Sequence, residues 1–285
     1  MDIQEIIQSD PKLATLPNIY FQFREVVEDP EFSFIEVAKI ILSDPALSQK
    51  LLRIVNSAFY GFDKRIETVT QAIGVVGIEP LNSLILSTVV QTKFKGIPDS
   101  VINLNSFWRH SIASALIAKF IAEKTNQDKP EKFYIAALLH DIGRLVMCSK
   151  IPEITVEILN RSKAEDKLLQ IIEIEELGFD HARLGGLLLK QWGLPKIYQE
   201  AVGHHHSPQH APNHRLEATA TYLSTIIADS MHLGCSGESF VVPNIREESK
   251  AWKQIQLPID VVLPEIESDV EQKYEDTVSA FLQVA

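Results

Sequence analysis

Histidine and aspartate residues occupy positions of this 285-residue sequence where the surrounding helical pattern predicts apolar side chains. His110 shares one helical face with Ile117 and Ile121, because residues seven and eleven apart point the same way at about 100° per residue. The apolar run KFYIAALLHDIGRLVM is interrupted by the adjacent pair His140 and Asp141. A carboxylate in such surroundings requires a neighbouring cation, since an uncompensated buried charge is strongly unfavourable.

Two further helical patterns and a histidine run repeat this feature nearer the C-terminus. His181 follows a predicted N-cap and shares a helical face with Leu188. Asp229 lies on the apolar face that also carries Ile226. Between these two patterns stands the run His204, His205 and His206.

A divalent metal ion would explain these inward polar residues together. Imidazole nitrogens and carboxylate oxygens are ligands that such ions prefer. Gly143, two residues after Asp141, would let another backbone or a ligand approach closely. Taken singly, each residue also fits a structural role as a hydrogen-bonded core histidine, an aspartate paired with an arginine, or part of a solvated loop. Their co-occurrence in separate segments favours a shared metal site.

The elements that would position these residues are helices. Apolar residues recur at three- and four-residue spacing and strand-like alternation is scarce, so the predicted fold class is all-α. Helices are predicted in these ranges: two within 32–57, divided at Asp44 and Pro45 with Asp44 as N-cap, and one each within 68–77, 80–92 and 266–284. The softer stretch 93–105 is the predicted junction between an N-terminal helical layer and the core.

Composition bounds the class of protein. At 45% hydrophobic residues the chain can bury a substantial core, and no apolar run approaches the roughly 20 residues that span a bilayer. The acidic N-terminus does not resemble a secretory signal, so a cytoplasmic location is expected. The formal charge of −11 disfavours binding to nucleic-acid backbones, and any phosphate ligand would need a local cationic site. Cys148 and Cys235 form no CxxC motif and are expected to be buried free thiols.

The order of these motifs carries a family resemblance. The segment LLHDIGR at Leu138–Arg144, with His110 before it and His181, the histidine run and Asp229 after it, resembles the HD superfamily of metal-dependent phosphohydrolases. Within that superfamily the chain is similar to the HDOD family, through the segments SDPALSQKLLRIVNSAFYG, TVTQAIGVVG, HARLGGLLLKQWGLP and HHSP. The resemblance extends from about residue 16 to residue 234.

The resemblance implies an architecture and a set of ligands. The architecture is a multi-helix HD-type core (101–237) after an N-terminal HDOD helical subdomain (1–100), with a C-terminal helical segment (238–285) packing on the body. The implied metal ligands, matched to the pattern of the related HD-GYP phosphodiesterases, are His110, His140, Asp141, His181, His205, His206 and Asp229. Which two residues of the triple-histidine run are ligands stays open. The implied cofactor is one or two divalent ions, with iron or manganese favoured and zinc or nickel also suited.

Two departures from the HD-GYP pattern bear on activity. Arg144 stands where those proteins carry a lysine, and SPQHAPNH replaces their Gly-Tyr-Pro segment. Arg144 can clamp a phosphate through two hydrogen bonds but cannot act as a titrating lysine.

Two functions therefore fit the sequence. The first is an HDOD-type regulatory protein of signal transduction that retains a metal site and binds a signalling protein or a nucleotide, with no membrane partner. The alternative is a metal-dependent phosphohydrolase acting on a phosphoester or cyclic nucleotide, with Asp141 and Arg144 as catalytic residues.

Overall fold

A computed structural model of the protein describes residues 2–237 and 243–282, and every regular element in these ranges is helical. The helices are α1 (Ile3–Gln8), α2 (Pro11–Ala14), α3 (Asn18–Glu28), α4 (Phe34–Leu42), α5 (Pro45–Val55), α6 (Val69–Val76), α7 (Ile78–Lys93), α8 (Leu104–Lys124), α9 (Pro130–Leu138), α10 (Ile142–Lys150), α11 (Pro152–Glu165), α12 (Leu169–Leu177), α13 (His181–Gln191), α14 (Lys196–Gly203), α15 (Arg215–Ser230), α16 (Ser249–Ile255) and α17 (Ile259–Leu282), with a short 3₁₀ helix at Pro208–His210. The predicted all-α class is confirmed. In the described part of the chain, no helix combines the length and apolar character that crossing a membrane requires.

The described residues form two compact units. The larger unit comprises the described parts of Met1–Thr15 and Gly96–Val270, and the smaller unit comprises those of Leu16–Lys95 and Glu271–Ala285. The predicted division into 1–100, 101–237 and 238–285 stays a prediction. Residues 238–242 and 283–285, which fall in its last range, lie outside the described residues.

Local sequence signals account for the helix boundaries. The predicted break before Pro45 is confirmed, because Asp44 caps α5 by accepting a hydrogen bond from the Leu47 N–H at 3.0 Å. The C-terminal helix differs from its prediction, since α17 begins at Ile259 and includes Pro264. A proline in the second turn removes a single backbone hydrogen bond, and the helix continues past it. The predicted end of this helix at residue 284 lies outside the described residues.

Both cysteines are free thiols. Cys148 is buried as predicted, whereas Cys235 is only partly buried. Burial raises the pKa of the Cys148 thiol to about 12, so this side chain is a neutral, unreactive part of the core at physiological pH.

Three helices of the larger unit approach one another closely at glycine residues. Helices α10 and α13 meet where a Cβ on Gly143 would lie 2.0 Å from the His181 carbonyl oxygen and 2.7 Å from the Gly185 nitrogen. Helices α13 and α14 meet where a Cβ on Gly186 would lie 2.8 Å from the Cα of Gly203. The close approach predicted at Gly143 is therefore confirmed and is made by another backbone. These contacts position the helix ends that carry the predicted site residues.

We expect Gly143→Ala to lower the free energy of unfolding of the larger unit by about 3 kcal/mol, because the added methyl group would overlap the His181 carbonyl. Gly203→Ala is the matched control, since a Cβ there would have its nearest contact at 3.6 Å. We expect the control to change the free energy by less than about 1 kcal/mol. Urea unfolding followed by circular dichroism measures both values, and equal losses would contradict this account of the helix contact.

Candidate metal centre

The larger unit brings the seven predicted metal ligands to one place. Their positions are His110 in α8, His140 and Asp141 between α9 and α10, His181 at the start of α13, His205 and His206 after α14, and Asp229 near the end of α15. All are at most 1% exposed except His206 and Asp229, which are partly exposed. Local sequence explains the placement of His181, because Asp180 caps α13 by accepting from the Arg183 N–H at 2.8 Å.

The Asp141 carboxylate lies at the middle of this cluster. Its Oδ1 is 3.0 Å from Nε2 of His181 and 3.8 Å from Nε2 of His205. Its Oδ2 is 3.0 Å from Nε2 of His140. One carboxylate therefore faces imidazoles that come from three different segments of the chain.

The ligand atoms fall into two groups on either side of this carboxylate. One group contains His110, His140 and Asp141, and the other contains His181, His205 and His206, with the ligand atoms of each group within 4.8 Å of one another. Asp229 joins the first group, since its Oδ1 is 3.2 Å from Nδ1 of His110. His204 belongs to neither group. The arrangement brings together the seven residues that the resemblance implied, and their roles as ligands stay a prediction.

The orientation of two imidazoles fits metal coordination. Nδ1 of His140 lies 2.6 Å from the Ala137 carbonyl oxygen, and Nδ1 of His205 lies 2.8 Å from the Val202 carbonyl oxygen. Each Nδ1 must carry a proton to donate these hydrogen bonds, so the lone pair remains on Nε2. Nε2 of His110 and Nε2 of His205 are buried without a hydrogen-bond partner among the described residues, and Nε2 of His140 faces the Asp141 carboxylate. Buried lone pairs of this kind are costly unless a cation occupies the space between them.

Burial also favours the protonation state that a metal needs. Removal from water, with the nearby His140 adding to it, lowers the pKa of His110 to about 3. Burial and neighbouring histidines also hold the pKa values of His205 and His206 well below the ordinary range. Only neutral imidazole coordinates a metal, so these side chains need lose no proton at neutral pH. The donor set therefore fits one or two divalent ions.

A carboxylate that sequence reasoning missed holds His181. Glu173 in α12 accepts hydrogen bonds from the His181 backbone N–H at 2.8 Å and from its Nδ1–H at 2.6 Å. Burial and the charge of Arg144 act to lower the pKa of His181, but Glu173 and Asp141 outweigh them and raise it to about 10. The carboxylate of Glu173 fixes the orientation of the ring, and a metal ion at Nε2 would have to displace the proton that this raised pKa retains there.

Arg144 supplies the cation that buried Asp141 was expected to need. Nη1 of Arg144 lies 3.4 Å from Oδ2 of Asp141 and donates to the carbonyl oxygen and the Oγ of Ser236, both at 2.7 Å. Burial acts to raise the pKa of Asp141, but Arg144 and His140 outweigh it and hold that pKa well below its usual value. Arg144 is itself 1% exposed. Its suggested role in binding a substrate phosphate stays a prediction.

Sequence reasoning missed Glu173 and Ser236, although the sequence contained a signal for Glu173. Glu173 stands four residues from both Leu169 and Leu177, which are buried on the same face of α12, so its carboxylate interrupts an apolar stripe. Ser236 lies in a loop 92 residues beyond its partner Arg144 and carries no periodic signal.

The larger unit is all-helical, and its buried histidines surround one aspartate in a donor set that could hold a metal ion. The HDOD domain family model matches residues 13–208, and the chain belongs to this family. A curated relative, an uncharacterised protein of Treponema pallidum (strain Nichols), is 26% identical over 201 residues. The match covers 70% of this chain and 39% of that protein, so the chain spans well under half of the relative's length.

Three solved structures share the fold. An HDOD domain protein of unknown function from Geobacter sulfurreducens has a TM-score of 0.80 and 22% identity, covering 99% of this chain and 97% of that chain. A Shewanella amazonensis SB2B protein, whose name proposes a phosphohydrolase, has a TM-score of 0.77 and 19% identity over 98% and 97% of the two chains. A Marinobacter aquaeolei VT8 protein, whose name proposes signal transduction, has a TM-score of 0.74 and 19% identity over 94% and 59%.

We expect Glu173→Gln to weaken metal binding by about 10- to 100-fold, because the amide carries no charge to stabilise the proton on Nδ1 of His181. The matched control is Glu176→Gln. Glu176 lies on the same helix, is exposed and pairs with Arg161 at the surface. Competition with a chelating dye for manganese measures both affinities. A loss of the same size in the two variants would show that Glu173 does not orient a ligand.

Proposed function

We propose that the protein is a regulatory protein of signal transduction whose core holds a divalent metal ion in a structural role. The burial of the ligands supports this proposal, since His110, His140 and His181 are 0% exposed and Asp141 and His205 are 1% exposed. Catalytic metal sites keep a position open to substrate, whereas structural sites are closed by the protein. A closed centre joins several helices of the larger unit, so the main effect of the ion is on stability.

The proposed cofactor is one or two divalent ions per chain. Imidazoles with a carboxylate suit iron, manganese, zinc or nickel, and the family resemblance favours iron or manganese. The proposed partner is a signalling protein or a nucleotide. A nucleic-acid backbone is disfavoured because the formal charge of the chain is −11.

A metal-dependent phosphohydrolase is the second candidate, and one observation favours it. Asp141 lies between the two ligand groups, with one oxygen 3.0 Å from His181 and the other 3.0 Å from His140. A carboxylate between two sets of ligands is the arrangement expected of a two-metal site. Bound divalent ions would supply Lewis acidity to polarise a phosphoryl oxygen, and Asp141 and the imidazoles would hold those ions. The partly exposed His206 marks the side from which a substrate would approach.

We expect the purified protein, prepared without a histidine tag, to contain about one or two ions per chain by elemental analysis. His140→Ala and Asp141→Asn should both lose them. Asp166→Asn is the matched control, because Asp166 is exposed and its left-handed backbone accepts asparagine. We also expect chelation to lower the melting temperature of the wild type by about 5 °C or more, since an ion bound to the native state stabilises it by mass action. The proposal would be contradicted if the wild type contains no metal and its melting temperature does not change after metal is added back.

Turnover separates the two candidate functions. With manganese or iron present, we expect no metal-dependent hydrolysis of bis(4-nitrophenyl) phosphate, cyclic mononucleotides or cyclic dinucleotides by the wild type. Hydrolysis that Asp141→Asn abolishes and Asp166→Asn retains would establish the phosphohydrolase instead. Unfolding curves of the three proteins exclude loss of structure as the cause.

A further inference from the structure

A cavity of about 840 Å³ is lined only by residues of the smaller unit, whereas the candidate metal ligands all belong to the larger unit. One wall is the face of α5 that carries Gln49 and Arg53, continued at helical spacing by Asn56, the C-cap of this helix. A second wall is the loop that follows α5. The third wall is the C-terminal part of α17, which includes Asp276 and Ser279. The volume is in the range of sites for small molecules and cofactors.

Hydrogen bonds to the loop backbone hold this cavity open. The Asn56 amide accepts from the Ile66 N–H and donates to the Ile66 carbonyl oxygen, each at 2.8 Å. Its Nδ2 also donates to the Leu52 carbonyl oxygen at 2.7 Å, which fixes the amide against α5. The Asp276 carboxylate accepts from the Ala58 N–H and thereby joins the other end of the loop to α17. The walls are therefore set before any ligand binds, which reduces the entropy lost on binding.

Both positively and negatively charged side chains line the cavity. Arg53 and Arg65 are the two cations, and Glu67 and Asp276 are the two anions. No residue in the described part of the chain forms an ion pair with Arg65 or Glu67. An anion could therefore bind Arg65, and a hydrogen-bond donor could bind Glu67, without breaking an existing ion pair.

An aromatic side chain offers a flat surface beside these charges. The Phe62 ring stacks on Tyr60 with an interplanar angle of 3° and a centroid distance of 5.7 Å. Tyr60 in turn meets the ring of buried Phe59 edge to face at 4.7 Å. Phe62 is 39% exposed and lines the cavity. Tyr60 thus contacts the Phe62 ring, and planar heteroaromatic rings bind well to an exposed aromatic side chain.

We propose that this cavity binds a mononucleotide, with its phosphate on Arg53 and Arg65, its base against Phe62 and an amino or hydroxyl donor on Glu67. Inorganic phosphate alone would leave Phe62 uncovered, and an apolar ligand would remove the guanidinium groups from water without a counter-charge. A mononucleotide combines an anion, a planar ring and hydrogen-bond donors in a molecule that this volume can hold. The site also supplies the local cations that a phosphate needs on a chain of net charge −11.

Isothermal titration calorimetry of the full chain with AMP and GMP tests the proposal. We expect at least one of them to bind, and Arg65→Ala to weaken its binding about tenfold or more through loss of a charged hydrogen bond. Lys64→Ala is the matched control, because Lys64 is an exposed cation in the same loop that does not line the cavity. Phe62→Ala should weaken binding and Phe62→Tyr should restore it, since tyrosine keeps the aromatic face.

Asp141→Asn separates this site from the candidate metal centre. Binding that persists in Asp141→Asn and in chelator-treated wild type supports the cavity, whether or not the chain binds metal. Four outcomes would overturn the proposal: no binding of either nucleotide at about 1 mM, loss of binding in Asp141→Asn alone, equal weakening by Lys64→Ala and Arg65→Ala, or inorganic phosphate binding as tightly as the nucleotide.

Discussion

The Asp141 carboxylate is 1% exposed, so its charge must be compensated by neighbouring groups. The polar interactions in the core of the larger unit follow from this requirement. Arg144 lies against this carboxylate and is equally buried, so it needs acceptors of its own, which Ser236 provides. His181 lies on the other side and is held from behind by Glu173. Arg144 follows Asp141 by three residues in the same segment, whereas Ser236 and Glu173 come from other segments of the chain. Removal of one member leaves another charge in a region of low dielectric constant, which is why the polar residues form a connected network.

The helices and the inward direction of the polar residues could be predicted because both depend on local sequence. Asp44 before Pro45 and Asp180 before His181 are N-cap signals that act over three residues, and the structure contains both caps. The burial of His110 follows from its spacing to apolar neighbours within one helix. The convergence of the segments was inferred from the co-occurrence of inward polar residues and the full set of ligands from a family resemblance, since no local rule brings residue 110 to residue 229.

The rest of the site depends on contacts between residues that are distant in sequence. Glu173 stands eight residues before His181, and although its position on an apolar stripe was visible, its partner was not. The bond from Arg144 to Ser236 closes across 92 residues and involves a loop without periodicity. The cavity of the smaller unit has the same origin, because the amide of Asn56 reaches a loop residue ten positions later. The sequence shows that a buried charged or amide side chain requires a hydrogen-bond partner, but only the folded structure identifies that partner.

Five of the seven candidate ligands are 0–1% exposed, and their burial has a kinetic consequence. An ion bound among side chains that are 0–1% exposed can leave only when the surrounding helices separate locally. The close backbone contacts at Gly143 and Gly186 oppose that separation, since the backbones of each helix pair pack directly against one another there. We therefore expect exchange of the ion to be slow. The identity of the bound ion would then depend on which metals were available when the chain folded. Two preparations of the same sequence, made with different metals, would remain chemically distinct proteins.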